Sequence, residues 1–506
     1  MTAWLRRSRR APLVRSRFTT DYALGLRVNA KYVVLIAAAV AMLFLGTVSR
    51  SHPPGFYRDE SNIAFNAASI AASDRDEHGA FMPLYFRSFG DWKSAPYIYL
   101  LAGVFKLAGP SQLAARALSA ALVLVAVLLL GLLALLLSKN RLVALATMAL
   151  AAATPWFFDV SRLVFEVALE PALLAALLVL LATVRDADTW SLGRCVALGV
   201  TLALIAYGYA GGRALAPLLA AALVVFVTRD RWRSVVYTWF AFAIALIPMA
   251  VVQIRHPGSL LSRYHHVSAT AGDSLPAAGA NVAANAFRAL NLWRWSTAGD
   301  SNPRHHAPGT GSLLVVGGLL ALAGLVILIR SRRLTAFWQF VLLGAVASVF
   351  PAAIADIPIH ALRAIALPVF LTTLAVPAIE LLSSRPLAAT AVLIVAFVQL
   401  AFFQASYWHD GRERRAAFEA EFPALFRAAS RAGAPIVVYR HDPEALGNAQ
   451  WYGELWHVPI RIVESDKATP ARSVLLASEL QCSGCRRIEK RGIFTAYRTP
   501  PFQGER

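Results

Sequence analysis

The sequence is poor in charge and in cysteine for its length. Of its 506 residues only 15% are charged and three are cysteines, whereas 58% are hydrophobic. A soluble domain of this composition would lack the polar surface needed to cover its apolar side chains. A soluble globular protein is therefore excluded, and we expect a polytopic membrane protein.

Acidic residues are the scarcer charged group. There are 29 Asp and Glu against 49 Lys and Arg, which gives a formal net charge of +20. Such an excess can indicate nucleic-acid binding, but the arginines cluster in short runs between apolar stretches. That distribution is typical of cytoplasmic loops under the positive-inside rule. We therefore expect membrane lipid, and no nucleic acid, as a partner.

The cysteines and histidines give little indication of a metal site. Cys195 lies in an apolar run, where a thiol is ordinary packing. Cys482 and Cys485 form a single CxxC, which is a weak metal signal without a second pair, and an external location would permit a disulfide between them. The adjacent His305 and His306 would not share one helix face. We therefore assign no metal ligands and leave open only a divalent metal as cofactor.

Eleven apolar runs approach the roughly 20 residues that a helix needs to cross about 30 Å of hydrocarbon. These candidate spans are 31–49, 115–137, 142–158, 164–184, 195–212, 214–228, 234–253, 312–330, 334–355, 364–382 and 386–406. The segment 1–30 ahead of them carries many arginines, and no small-residue cleavage site follows the first apolar run. We expect a cytoplasmic basic arm leading into an uncleaved first span.

A further apolar run, 95–109, decides the orientation. It is short and contains Lys106. If it does not cross the membrane, basic turns such as 229–233 face the cytoplasm, as the positive-inside rule requires. We therefore expect it to lie at the outer interface, with long external loops at 50–114 and 254–311. The N-terminus is then cytoplasmic and the C-terminus external.

The tail, 407–506, has a soluble composition. Helical periodicity covers 412–432. Three short apolar runs predict strands, at 436–439, 458–463 and 474–477. The predicted fold is thus an all-α polytopic membrane domain over 31–406, with about eleven transmembrane helices and at most thirteen, followed by a small external α/β domain.

Acidic side chains recur where the predicted spans meet the outer face. Asp59 and Glu60 follow the first span at a membrane–water boundary, where an acid is costly unless it is paired, hydrated or used in chemistry. An ordinary solvated loop is the alternative. Further on, Arg162, Glu166 and Glu170 recur at i, i+4 spacing, which predicts one stripe of a helix. For Arg162 an interfacial salt bridge is the simplest role.

Basic side chains occur at the same predicted face. Arg213 follows Tyr209 where one span ends and the next begins, and His360 and Arg363 precede another span. A guanidinium at a helix end that faces an outer cavity is suited to binding a phosphate. Snorkelling to lipid headgroups is the alternative for each arginine.

Carboxylates and phosphate-binding cations at one membrane face suggest group transfer from a lipid-linked phosphate. One carboxylate would take the proton of an acceptor hydroxyl, and the cations would neutralise the departing phosphate. A transporter would place its charges nearer the middle of the bilayer, so an enzyme is favoured. The alternatives are a flippase or carrier for lipid-linked glycans, and an oligosaccharide polymerase or ligase.

A series of short motifs follows a fixed order along the chain. In chain order the motifs are Tyr57-Arg58-Asp59-Glu60, Pro83-Leu84-Tyr85-Phe86, Lys93-Ser94-Ala95-Pro96-Tyr97, Arg116-Ala117-Leu118-Ser119, Ser161-Arg162 with Glu166, Tyr207-Gly208-Tyr209 with Arg213, Asn302-Pro303-Arg304, and His360-Ala361-Leu362-Arg363. Together they resemble the bacterial branch of the protein O-mannosyltransferase and lipid A aminoarabinose transferase family. The resemblance covers roughly 30–410.

The resemblance implies a GT-C fold, a polyprenyl-phosphate sugar donor and a hydroxyl acceptor on a glycan, lipid or protein. It also implies an inverting displacement at the external face of the bacterial inner membrane. On the family pattern Asp59 would be the catalytic base, Glu60 its supporting neighbour and Glu166 the second acid. Candidates for binding the donor phosphate or substrate are Lys93, Arg116, Arg162, Tyr209, Arg213, Arg304, His360 and Arg363. The tail has no counterpart in the pattern and is a candidate for acceptor specificity.

Overall fold

The computed structural model describes most of the chain. The described residues are 30–260, 262, 264, 268, 274–409, 411–464, 469–478 and 482–500. The predicted basic arm, 1–30, lies outside them except for its last residue. Helices dominate the described part, and a small sheet lies near the C-terminus.

The larger part of the chain is helical. In chain order its helices are α1 (Ala30–Ala41), α2 (Arg58–Ser73), α3 (Ala95–Ala108), α4 (Gln112–Ser138), α5 (Arg141–Ala153), α6 (Pro155–Val160), α7 (Glu170–Val184), α8 (Leu192–Gly208), α9 (Ala210–Ala222), α10 (Trp232–Ala245), α11 (Ile247–Arg255), α12 (Leu275–Ala289), α13 (Leu292–Thr297), α14 (Val315–Arg330), α15 (Ala336–Ala347), α16 (Phe350–Ala353), α17 (Ala366–Leu382) and α18 (Pro386–Trp408). A π-helical turn, Met42–Gly46, extends α1, and 3₁₀ turns precede α7 and follow α9.

All eleven predicted spans fall on apolar helices of the described chain. Within the described residues, five helical stretches, two of which join consecutive helices, are long and apolar enough to cross a membrane. They are Gln112–Ser138, Glu166–Val184, Trp232–Arg255, Ala336–Ala353 and Pro386–Trp408. The other six predicted spans coincide with shorter apolar helices, from Lys31–Gly46 to Ala366–Leu382. The membrane-protein class is confirmed, and eleven crossings stay a prediction.

The apolar helices pack closely through small residues. A Cβ added at Gly324 of α14 would overlap the carbonyl group of Leu374 on α17. Gly199 of α8 faces the backbone of α10 in a similar way, since an added Cβ would lie 2.7 Å from the Thr238 carbonyl oxygen. Close backbone approach gives these helices the van der Waals contact that holds helices together where water does not drive them together.

A β-hairpin lies between α2 and α3. Its strands β1 (Tyr85–Ser88) and β2 (Asp91–Ser94) are antiparallel and pair Tyr85 with Ser94. The turn residues Phe89 and Gly90 both have positive φ, 51° and 78°, which is the requirement of a two-residue type I′ turn. The sequence analysis did not predict this hairpin, because its residues show no long alternation of apolar and polar side chains.

The run 95–109 is a helix, as predicted. One face of α3 is buried against α2, and at its far end Phe105 stacks on Trp451 of the C-terminal part at a centroid distance of 6.0 Å. The other face is exposed at Leu100 and Leu107. An apolar face without a protein partner agrees with a helix lying on a membrane surface, and that location stays a prediction.

The C-terminal part forms the predicted α/β domain. Its elements are α19 (Arg412–Ala417), α20 (Phe422–Arg431), β3 (Ile436–Tyr439), α21 (Pro443–Trp456), β4 (Ile460–Val463), β5 (Val474–Ala477), β6 (Arg486–Arg491) and β7 (Phe494–Arg498). The strands form a five-stranded sheet in the order β4-β3-β5-β7-β6. Strand β3 is parallel to β4 and β5, and β7 is antiparallel to β5 and β6.

The predicted strands of this domain are confirmed. The structure differs from the prediction in two other respects. The helical run 412–432 is interrupted between α19 and α20, where Glu419 has a positive φ of 53°. Strands β6 and β7 were not predicted, because β6 consists almost entirely of charged residues and shows no apolar alternation. Cys482 and Cys485, just before β6, are joined as a disulfide with their Cα atoms 5.4 Å apart, which confirms the expected pairing.

The C-terminal domain is packed directly on α2. Phe56, just before α2, stacks on Trp451 of α21 at a centroid distance of 5.8 Å. A Cβ added at Gly447 of α21 would lie 3.1 Å from the Arg58 carbonyl oxygen, so the glycine lets the two backbones approach closely. Arg58 also forms a 2.7 Å ion pair with Glu444 at the start of α21. Contacts from the C-terminal domain thereby fix the first turn of α2.

Candidate active site

The site is built around the first turn of α2. Tyr57 has extended backbone angles, φ −84° and ψ 167°, and precedes the helix as its N-cap residue. Three residues later the Glu60 carboxylate accepts a 3.3 Å hydrogen bond from the Tyr57 backbone N–H, which is the reciprocal half of a capping box. Acidic side chains at this end also interact favourably with the helix dipole, so the pair of acids helps to define the start of the helix.

Asp59 is the accessible acid of the pair. Its side chain is 21% exposed, and its Oδ1 lies 3.2 Å from the Nζ of Lys93, a side chain that is 7% exposed. The ammonium group also lies 5.5 Å from the centroid of the Phe89 ring. A buried cation therefore holds a partly open carboxylate in place.

Strand β2 brings two further side chains, Glu166 and Arg213, to this pair. The backbone N–H of Ser94 donates to Glu166 Oε1 at 3.2 Å. Arg213 donates to the Trp92 carbonyl at 3.1 Å, and its guanidinium lies 4.8 Å from the Tyr85 ring centroid. Because Lys93 lies between Trp92 and Ser94, three consecutive residues bind Asp59, Glu166 and Arg213.

Glu166 is almost wholly enclosed. It is 4% exposed, and its Oε2 has no hydrogen-bond partner among the described residues. It belongs to the 3₁₀ turn Glu166–Leu169 at the entrance of α7. Glu166 therefore lies inside the protein beside the strand that carries Lys93, with one oxygen bound by the backbone and the other without a partner among the described residues.

Glu60 performs a different task from Asp59. It is fully buried, and its second oxygen accepts a 2.9 Å hydrogen bond from the Val164 backbone N–H. Burial raises the pKa of Glu60 to about 7, against the opposing effects of the Arg116 charge and of the two backbone hydrogen bonds. Glu60 thus ties α2 to the 161–165 segment, while Asp59 faces the open side.

The predicted helical stripe of Arg162, Glu166 and Glu170 is wrong. Phe165 has extended backbone angles with φ −146°, a 3₁₀ turn follows, and α7 begins only at Glu170. Arg162 forms no salt bridge with Glu166. It donates instead to the carbonyls of Leu43 and Phe44 and to the Thr47 hydroxyl, at 2.8–2.9 Å, at the π-helical end of the first span.

Arg116 has a similar set of backbone partners. Its guanidinium is fully buried and donates to the carbonyls of Ser49, Arg50, Pro53 and Gly55 at 2.5–3.2 Å. These bonds hold the segment that leads from the first span into α2. These backbone contacts are enough to explain why the Arg116 side chain is buried.

Arg304 reaches the same helix turn from another loop. Its guanidinium lies 4.7 Å from the centroid of the Tyr57 ring and 3.6 Å from Glu419 Oε1. Its Nε donates to the Ala417 carbonyl at 2.7 Å. Burial raises the pKa of Glu419 to about 7 although the charge of Arg304 opposes it. Burial, together with the charges of Asp59 and Glu60, raises the pKa of the Tyr57 phenol, so its hydroxyl stays protonated.

His360 is partly buried and belongs to a separate cluster with His305 and Asp300. Its ring lies 4.7 Å from that of His305, whose Nδ1 is 3.1 Å from Asp300 Oδ2. The same oxygen accepts a 2.7 Å hydrogen bond from the Ala361 backbone N–H. Burial by itself would raise the pKa of Asp300, but the hydrogen bond and charge of His305 outweigh it and lower that pKa to about 2. The sequence analysis weighed His305 and passed over Asp300.

For two other predicted residues the structure shows contacts with neither Asp59 nor Lys93. Arg363 forms a 3.3 Å ion pair with Asp356, which is 56% exposed, in its own loop. The ring of Tyr209 lies 6.1 Å from that of Phe165, edge to face. The structure therefore brings Asp59, Lys93, Glu166 and Arg213 together directly, with Glu60 and Arg304 behind and beside them.

Sequence reasoning missed a second buried acid–histidine contact. His306 Nδ1 lies 3.4 Å from Asp159 Oδ2, with both side chains at most 3% exposed. His306 also hydrogen-bonds the Thr310 carbonyl at 2.7 Å. An acid directly after an apolar run was the available signal for Asp159. Its partner comes from a distant loop and could not be read from spacing.

An apolar cavity of about 510 Å³ lies apart from these polar groups. Helices α1, α5, α14, α17 and α18 line it, and none of its lining residues is charged. None of the candidate catalytic residues lines it. Its walls suit a hydrocarbon chain and offer no polar path for a sugar headgroup.

Comparison with known protein families and with curated proteins finds no match for the chain. Solved structures do match it. The apo structure of ArnT from Cupriavidus metallidurans superposes with a TM-score of 0.58 over 92% of this chain and 98% of that one, at 13% identity. The chain has the GT-C fold.

Two further structures support the same GT-C assignment. ArnT from Cupriavidus metallidurans bound to undecaprenyl phosphate gives a TM-score of 0.55 at 14% identity, over 92% of this chain and 98% of that one. The Archaeoglobus fulgidus oligosaccharyltransferase in complex with Zn and sulfate gives 0.54 at 15% identity, over 86% of this chain and 62% of that one. The GT-C fold implied by the sequence motifs is confirmed, and the likeness concerns the fold alone.

Proposed function

We propose that this protein is a membrane glycosyltransferase that moves a sugar from a polyprenyl-phosphate carrier to a hydroxyl group. The observation that carries the proposal is the partly exposed Asp59 held by Lys93, with Glu166 and Arg213 bound to the same strand. Within a GT-C fold this arrangement supplies an acid–base group and phosphate-binding cations in one place. The acceptor belongs to a glycan, a lipid or a protein.

Asp59 acts as the general base. Its carboxylate takes the proton of the acceptor hydroxyl as that oxygen attacks the anomeric carbon of the donor. The bond from the anomeric carbon to the phosphate oxygen breaks, and its electron pair leaves with the polyprenyl phosphate. A single displacement of this kind inverts the anomeric centre.

Lys93 and Arg213 stabilise the departing phosphate. Lys93 belongs to strand β2 and Arg213 donates to it, the first a compact ammonium and the second a planar guanidinium. Arg213 already donates to backbone carbonyls, and a phosphate oxygen is a stronger acceptor for the same guanidinium N–H groups. Arg304, beside Tyr57, extends the positive lining toward the C-terminal domain. We assign Arg116 and Arg162 a structural role.

The apolar helices and the segregation of basic turns support a multi-pass location in a bacterial inner membrane, with the site on the external face. A flippase would move a lipid-linked glycan across the membrane and form no covalent product. An oligosaccharide polymerase or ligase differs only in the size of its lipid-linked donor. The products made from single-sugar and oligosaccharide donors, resolved by mass spectrometry, separate these possibilities.

The test is Asp59→Asn in purified protein, assayed with a panel of polyprenyl-phosphate sugars. Loss of the general base should lower kcat by about 10²–10⁴-fold while the protein stays folded. Asp74→Asn is the matched control, since Asp74 is exposed at the other end of α2 with a φ of 56°, which asparagine tolerates. Turnover within a few-fold of wild type in Asp59→Asn would overturn the assignment.

A further inference from the structure

Asp300, His305 and His360 form a cluster of metal-ligand type, in which the first two are buried and His360 is partly exposed. Asp300 is 5% and His305 is 7% exposed, and one ligand atom from each of the three side chains lies within 4.8 Å of the others. We propose that this cluster binds a divalent transition-metal ion of the zinc class. The proposal goes beyond glycosyl transfer, because nothing in that chemistry requires a metal at this position.

The donor set matches that class of ion. Two imidazoles and one carboxylate suit zinc and its neighbours, whereas magnesium and calcium prefer oxygen ligands throughout. Zinc is bound tetrahedrally, so three protein ligands leave one position for water or a substrate oxygen. Small rotations of the side chains would bring the three ligand atoms to the shorter spacing of a metal-bound set.

The carboxylate is held in place before any ion arrives. Asp300 Oδ1 accepts from the Asn302 N–H at 2.9 Å and Oδ2 from the Ala361 N–H at 2.7 Å. Oδ2 also lies 3.1 Å from His305 Nδ1. Ligands whose orientation is fixed by surrounding hydrogen bonds lose little freedom on binding a metal.

The surrounding charges permit a cation here. The two nearest arginines along the chain, Arg304 and Arg363, each lie close to a carboxylate, at 3.6 Å from Glu419 and 3.3 Å from Asp356. Their positive charge is thus partly offset outside the cluster. A metal would also join two loops that are 55 positions apart in sequence between His305 and His360, as a cross-link between them.

The experiment measures metal content and needs no activity. The protein is purified without a polyhistidine tag, supplied with zinc, dialysed and analysed by mass spectrometry for metals. We expect about one zinc per chain and, with Co²⁺ in its place, the visible absorption of tetrahedral cobalt. His360→Asn and His305→Asn should lose both signals, while His457→Asn, an exposed helix-end position with φ 55°, should keep them.

A second readout covers variants that fold poorly. A chelator should lower the Tm of the wild type and of His457→Asn, and should leave the Tm of His360→Asn unchanged. Wild-type protein that retains no zinc and shows no cobalt absorption overturns the proposal, as does unchanged metal content in both histidine variants. The proposed transfer reaction is tested separately, by Asp59→Asn.

Discussion

Asp59 and Glu60 are neighbours in sequence with opposite surroundings. Asp59 points to the open side against a buried ammonium, whereas Glu60 is enclosed and accepts hydrogen bonds from two backbone N–H groups. A base must exchange protons with its substrate, and only Asp59 has that access. Glu60 holds the chain on either side of it in position.

Arg213 should affect the donor more than the acceptor. Arg213→Ala removes a guanidinium that we assign to the leaving phosphate, so kcat/KM for the donor should fall by about 10–100-fold, the value of a charge-assisted hydrogen bond. Arg213→Lys should keep part of this donor efficiency, since lysine retains the positive charge but lacks the planar guanidinium. Arg87→Ala, an exposed arginine on the same hairpin, is the control. Equal losses for donor and acceptor would argue against the role.

Glu60 should make stability depend on pH. Its pKa is raised from 4.5 to about 7 in the folded protein. At a pH between these two values, the folded state therefore retains a proton that the unfolded state has released. Stability should therefore fall as pH rises from about 4.5 to 7. In Glu60→Gln this slope should be shallower, whatever the absolute Tm. The check is Tm against pH in detergent, and identical slopes would contradict the assignment.

At the scale of elements, the contact between α2 and α21 links the C-terminal domain to the first turn of α2, where we propose the catalytic base. The Ser61 hydroxyl donates to Asn448 Oδ1 at 2.8 Å, and the Asn448 amide donates to Glu419, which lies beside Arg304. A continuous chain of polar contacts thus runs from the C-terminal domain to the residue after Glu60. We infer that the domain positions α2, whatever it adds to acceptor specificity.

Asn448→Ala tests that inference. It leaves Glu419 with one hydrogen bond fewer in a buried place, which should cost about 1–3 kcal/mol. It should also lower kcat at saturating donor and acceptor. A domain that served only acceptor specificity would change the acceptor KM and leave kcat alone. Ser61→Ala should show a similar loss that does not add to that of Asn448→Ala, because the two share one hydrogen bond. Glu454→Ala, exposed on α21, is the control.

At the scale of the whole molecule, orientation depends on α3. If α3 does not cross the membrane, each basic turn after it faces the cytoplasm. The burial of one α3 face against α2 and its contact with Trp451 agree with that arrangement. Orientation in turn decides whether the Asp59 site meets external or cytoplasmic substrates.

Cysteine labelling tests the orientation directly. In a Cys195→Ala background, Ser51→Cys and Ser384→Cys each introduce one exposed thiol. With a membrane-impermeant maleimide on spheroplasts, the Ser51 position should be labelled and the Ser384 position should react only after permeabilisation. Labelling of both in intact spheroplasts would show that α3 crosses, because a crossing reverses every later segment.

Much of the fold could be predicted from local sequence. All eleven predicted spans coincide with apolar helices, and the strands at 436–439 and 474–477 were placed at their observed residues. The stripe through Arg162 and Glu166 could not be predicted correctly, because i, i+4 spacing has meaning only inside a continuous helix. Strand β6 escaped notice because its neighbours in the sheet, and not its own apolar pattern, make it a strand.

The sequence by itself determined the class of the protein, its membrane segments and the acids at the start of α2. Those features depend on runs of apolar residues and on adjacent side chains, which local physics decides. Only the tertiary structure decided which charges meet. Lys93 lies 34 positions from Asp59 and Ser94 lies 72 from Glu166, and Asn448 reaches Ser61 across 387. Separations of that size carry no periodic signal, so the choice of partners depends on how the helices, the hairpin and the C-terminal domain pack.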